Sequence, residues 1–93
     1  MTYRKNDRDA NEHDIIRALR AVGCIVRQMD RHAGFDLLVV SPFTGIHIVE
    51  VKNPAYKWHL TENEQDFQGL VESAGETYWI IDSVEAAMKM IDR

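Results

Sequence analysis

The chain has 93 residues, 45% hydrophobic and 28% charged, with a net charge of −4. That size predicts one domain over 1–93, with a modest core and a tendency to pair with a second copy. No apolar run is long enough to span a membrane, a single cysteine excludes an internal disulfide, and the acidic balance counts against tight non-specific nucleic-acid binding.

Residues 1–8 are polar and are expected to be flexible, with no signal-peptide core, so a cytoplasmic location is expected. A first helix is predicted from about Ala10 to Val22, because Ile15, Ile16, Leu19 and Val22 recur at helical spacing and Gly23 supplies a stop. Cys24–Met29 reads as a strand, with Cys24 as a buried reduced thiol. Gly34–Val40 and Ile46–Asn53 are rich in β-branched and apolar residues and flank the turn sequence Ser41-Pro42-Phe43-Thr44-Gly45. Asn53-Pro54 ends the third strand and opens an aromatic loop. A second helix is predicted over Glu62–Ala74, facing inward through Phe67, Leu70, Val71 and Ala74. A fourth strand follows at Thr77–Ile81, and a last helix at Ser83–Ile91 uses Val84, Ala87, Met88 and Ile91. The order is α-β-β-β-α-β-α.

The hairpin carries the chemistry. With 41–45 as its turn, Val40 faces Ile46, Leu38 faces Ile48, and Asp36 faces Glu50. Alternation along the strands then places Asp36, Glu50 and Lys52 on one face of the sheet. Two facing carboxylates repel, and a divalent cation is the natural compensation. A lysine beside such a site can position a nucleophilic water or stabilise charge growing on a phosphate. These residue types in this register point to a metal-dependent nuclease.

Three glutamates sit in capping-box patterns: Asp9 to Glu12, Thr61 to Glu64, and Asp82 to Glu85. They differ in phase. Glu85 lies off its apolar stripe and reads as a cap alone, whereas Glu12 lies in line with Ile15, Ile16 and Leu19, and Glu64 lies near the edge of its stripe. Glu12 is therefore a cap or an inward site residue, and Glu64 carries the same two readings. Tyr56, Lys57, Trp58 and His59 follow the active strand and could contact DNA, the rings by stacking and Lys57 through phosphate. A hydrophobic lid or a dimer contact is the alternative for the same loop. There is no Cys/His cluster for zinc, no glycine-rich phosphate loop and no G-x-S-x-G serine.

A helix with an inward glutamate, Gly34-Phe35-Asp36 on one strand and Glu50-Val51-Lys52 on the next resembles the PD-(D/E)XK nuclease superfamily. The small size is similar to its stand-alone VRR-NUC and phage-type members, and the archaeal-type Holliday junction resolvases are similar in outline. The resemblance covers nearly the whole chain. It implies an α/β restriction-endonuclease-like core with a mixed four-stranded sheet flanked by helices. It also implies Mg²⁺ or Mn²⁺ held by Asp36, Glu50, the Val51 carbonyl and Glu12, with Lys52 acting on the attacking water. The expected product is a cut DNA phosphodiester, with branched DNA among the substrates. A homodimer and a replication or recombination partner protein belong to the same expectation. Phe35 stands where the superfamily's name has proline. The glutamine that related domains often carry early in the following helix would fall on Glu64, with Gln65 one position away. The rival reading is a non-catalytic nucleic-acid-binding or interaction domain that keeps the fold.

Overall fold

The computed structural model describes the backbone of residues 3–92 and the side chains of residues 10–92. The elements in chain order are α1 (Tyr3–Ala21), β1 (Ile25–Gln28), β2 (Leu37–Ser41), β3 (Gly45–Val51), α2 (Glu62–Ser73), β4 (Tyr78–Ile81) and α3 (Val84–Met90). The strands lie in one mixed sheet in the order β1-β2-β3-β4, antiparallel across the first three and parallel between β3 and β4. A parallel pair needs a crossover, and α2 supplies it. This is the αβββαβα arrangement that the sequence predicts. Among the described residues no helix is long and apolar enough to cross a membrane.

The hairpin register is the expected one, with Val40 opposite Ile46 and Leu38 opposite Ile48. The turn itself is tighter, because Ser41 and Gly45 still pair. Ser41 Oγ accepts the N–H groups of Phe43 and Thr44, and Gly45 takes φ 91°, which an L side chain would resist.

One face of the sheet holds the core. Val26, Leu37, Val39, Val49, Val51 and Ile81 point towards Ile15, Ile16 and Leu19 of α1 and Ala87 and Met90 of α3. Cys24 joins them as a buried free thiol, which burial pushes above its usual pKa. His47 is also on this face; its Nε2 lies 2.8 Å from Thr44 Oγ1 and its ring meets Trp79 edge-on. Burial lowers its pKa, as for a neutral structural imidazole.

Several boundaries depart from expectation for physical reasons. α1 begins at Tyr3, so Asp9 stands inside the helix rather than at its cap. Of residues 1–8, expected to be flexible, 1 and 2 and all the side chains lie outside the described residues, while the backbone of 3–8 belongs to α1. Ser83, not Asp82, caps α3, through the Ala86 N–H. Four expected core positions, Val22, Leu70, Ala74 and Val84, are exposed. Each lies at the margin of its stripe, where a one-position phase error moves a side chain into solvent.

Candidate metal-dependent active site

The second face of the sheet is built differently. Its rows follow from the register: Ile25, Val40 and Ile46 in one, Arg27, Leu38, Ile48 and Tyr78 in the next, and Glu50 with Ile80 at the end, where Asp36 approaches. α2 covers the β4 side of this face.

Gly34–Asp36 is not strand, although the sequence predicts the strand from Gly34. Gly34 sits at φ 88°, and a Cβ there would lie 2.7 Å from the Phe67 Cβ. Only glycine lets the chain come this close to α2. The Tyr78 hydroxyl donates to the Gly34 carbonyl at 2.7 Å, and Phe35 stacks on Phe67 with ring centroids 5.2 Å apart. The segment is thus clamped to α2 and β4 immediately before Asp36.

Asp36 continues the pairing beyond β2. Its N–H donates to the Val49 carbonyl at 3.0 Å, and its own carbonyl accepts from Met29 at 2.8 Å. Its Oδ2 accepts the Val51 N–H at 2.8 Å, so the side chain takes over where the backbone of β2 has turned away. Glu50, one step past the Leu37–Val49 pair, is completely buried. Lys52 Nζ lies 3.1 Å from Glu50 Oε2, but neither carboxylate oxygen has a hydrogen-bond donor along its direction. Burial first, and then the negative charges of Asp36 and Glu64, push the Glu50 carboxyl up to about 9.

Lys52 is buried as well. Its ammonium reaches Glu50, Glu64 Oε1 at 3.3 Å and the His59 carbonyl at 3.4 Å. Its backbone is fixed from two sides: the N–H donates to Ile81 and the carbonyl accepts from Asn11 Nδ2 at 3.0 Å. Glu64 also completes the capping box of α2, where its carboxylate accepts the Thr61 N–H. Burial alone would raise Glu64, yet the Thr61 hydrogen bond and the Lys52 charge hold it below its ordinary value. Tyr78 is raised by burial and by the three surrounding acids, so its hydroxyl stays a donor.

The expected residues therefore divide into two groups. The Lys52 ammonium joins Glu50 and Glu64, and Asp36 lies close enough for its charge to raise the Glu50 carboxyl. Glu12 instead accepts a hydrogen bond from Gln28 Nε2 at 3.3 Å, towards β1. Gln65 donates to the Leu60 carbonyl at 3.0 Å and steadies the end of the loop. Lys57, Trp58 and His59 line a cavity of about 380 Å³ that opens onto Lys52. A second cavity of about 400 Å³ is lined by Arg31, His32, Phe35 and Asp36. Thr61 and Glu64 border both cavities. Asn11 and Tyr78 were not singled out from sequence. Asn11 carried a usable signal, being one helical turn before Ile15 on the apolar stripe.

Among the described residues no three His, Cys, Asp or Glu side chains are grouped to hold an ion. The donor set that fits a hard divalent cation is Asp36, Glu50 and nearby backbone oxygen, of which the Val51 carbonyl is the one expected. The fit rests on Glu50, whose two oxygens are wholly buried beside the Lys52 ammonium and lack a well-aligned hydrogen-bond donor.

No family model matches the sequence, and no curated protein does. A solved structure of a VRR_NUC domain superposes with a TM-score of 0.70 at 23% identity, over 90% of this chain and 92% of that one. The helix order and the mixed sheet thus compose the same fold as that VRR_NUC domain.

Proposed function

We propose that this chain is a metal-dependent nuclease that hydrolyses DNA phosphodiester bonds. The observation that carries this reading is Glu50: a wholly buried acid, short of donors, beside a second acid and a buried lysine. A carboxyl group placed so costs several kcal/mol if ionised and unpaired, which a purely structural domain avoids with an apolar residue. Asp36 and Glu50 would hold Mg²⁺ or Mn²⁺, with the Val51 carbonyl as a further donor and Glu12 an outer one. Bound there, the ion would offset the acids' negative charge, polarise a phosphoryl oxygen and make an adjacent water more acidic.

The remaining roles belong to the chain. Lys52 spans Glu50 and Glu64, which would place its ammonium to orient a water or to meet charge developing on the phosphate. Asn11 and Ile81 hold the Lys52 backbone and keep that ammonium in place. Glu64 anchors the lysine from the start of α2 and is a proton acceptor within its reach. Arg31 and Lys57, one on each cavity, suit the phosphates on either side of the cut.

The reading includes a second copy of the chain. The rows Ile25–Val40–Ile46 and Leu38–Ile48 leave an apolar strip on the sheet beyond the reach of α2, with Ile46 68% and Ile25 54% exposed. This exposed apolar strip suits the centre of an interface between two copies. It is continuous with the row bearing the acids, so a two-fold pair would set two sites beside one substrate, one for each strand.

Thermal unfolding with and without Mn²⁺ or Ca²⁺ tests the site. Saturating metal should raise the melting temperature, by about 2–3 kcal/mol of stabilisation at a hundredfold excess over Kd, and Asp36→Asn should lose the shift. An equal shift in both proteins would place the metal elsewhere. No shift in the wild type would favour the binding-domain reading.

A further inference from the structure

The loop between β3 and α2 is held at both ends. Asn53 accepts the Ala55 N–H on its side-chain oxygen at 2.9 Å and the Tyr56 N–H on its carbonyl at 3.2 Å. At the far end Gln65 secures the Leu60 carbonyl, and Thr61 caps α2. Between these fixed ends the loop presents Tyr56 and Trp58, both close to half exposed. Folding thus leaves a large stacking surface open at a defined place. That place adjoins the active site: the Lys52 ammonium lies 5.7 Å from the centre of the Trp58 ring, and Lys52 and Trp58 line the same cavity of about 380 Å³.

We propose that this cavity is a nucleobase site, in which Trp58 stacks the base beside the phosphodiester that Lys52 serves, so that the chain takes DNA strands unpaired at that step. The inference rests on the nuclease reading for the position of the phosphodiester, though base binding itself does not require cleavage. The cavity is of a size that takes small planar ligands. Its cations, Lys52 and Lys57, suit the phosphates flanking a bound base. The ring offers a face and no hydrogen-bond code, so stacking tolerates any base. A paired base must first leave its duplex to reach the ring, and the cost is least where it is already unpaired.

The test measures binding of a labelled single-stranded oligonucleotide in Ca²⁺ by anisotropy, with one abasic residue moved along the strand. One abasic position should weaken wild-type binding about tenfold, Trp58→Ala should weaken the intact strand equally, and the two changes together should cost no more than either alone. Trp58→Phe should keep most of the affinity. If no abasic position affects the wild type, or the abasic effect persists in full in Trp58→Ala, the base site is wrong. In Mn²⁺, the wild type should cleave a strand unpaired at the site in preference to full duplex, and Trp58→Ala should lose that preference. Stacking without cleavage would remove the nuclease reading and leave the base site standing; cleavage without stacking would do the reverse.

Discussion

The two faces of the sheet spend the same strands in opposite ways. On one, Val26, Leu37, Val39, Val49 and Val51 meet α1 and α3 in a closed apolar core. On the other, α2 covers only the β4 side, two acids and a lysine are packed at its edge, and an apolar strip stays open. The first face supplies the stability that the second consumes. In β3 the two uses alternate residue by residue: Val49 and Val51 anchor the strand, and Glu50 between them faces the site. Holding a buried acid in place requires that both its neighbours be fixed.

That contrast can be broken first at the core. Leu19 is fully buried, and Leu19→Ala should cost about 2–5 kcal/mol in denaturant unfolding. A loss below about 1 kcal/mol would mean that the α1 face is not the main source of stability.

A smaller effect of opposite sign is expected across the sheet. Burial and the neighbouring acids push the folded Glu50 carboxyl up to about 9, from an ordinary value of 4.5. Below pH 4.5 both states are neutral and the group costs nothing. As the pH rises through 4.5, the unfolded chain loses the proton that the folded chain keeps, so stability falls until about pH 9 and is level above it. Glu50→Gln should remove most of that slope and raise metal-free stability at pH 7 by about 1–2 kcal/mol, while abolishing cleavage. A Gln variant less stable than the wild type would mean that the carboxylate is satisfied in the metal-free protein.

The smallest effect on the folded unit should come from the open strip. Ile46→Asp should leave secondary structure and monomer stability within about 0.5 kcal/mol. In sedimentation it should shift the protein from dimer to monomer. A wild type that sediments as a monomer would remove the second copy from this account.

How much of this was legible in the sequence follows the same division. The hairpin register, and with it the approach of Asp36 to Glu50 and Lys52, could be counted from a turn bounded by Ser41 and Gly45, because strand pairing has a period of two and admits little drift. The capping box at Thr61 was legible, but the second use of Glu64 as a partner of Lys52 was not, since that contact joins residues twelve apart through a loop of irregular course. The early start of α1 was hidden because Tyr3–Asp9 has no apolar stripe, while Asp9 mimics a cap. Gly34 looked like a strand residue because nothing local reveals that Phe67 packs against it. Asn11 and Tyr78 act through single long-range hydrogen bonds, which leave no periodic trace.

The most direct measurement incubates the purified protein with labelled DNA, as linear duplex, single strand, flap and four-way junction, in Mg²⁺ or Mn²⁺. Cleavage should appear, stop in EDTA, and fall at least a hundredfold in Lys52→Ala, about the loss expected when a donor to the developing charge is removed. A folded wild type that cuts none of these DNAs, or cleavage that survives in Lys52→Ala, would contradict the assignment of Asp36, Glu50 and Lys52 as a nuclease site.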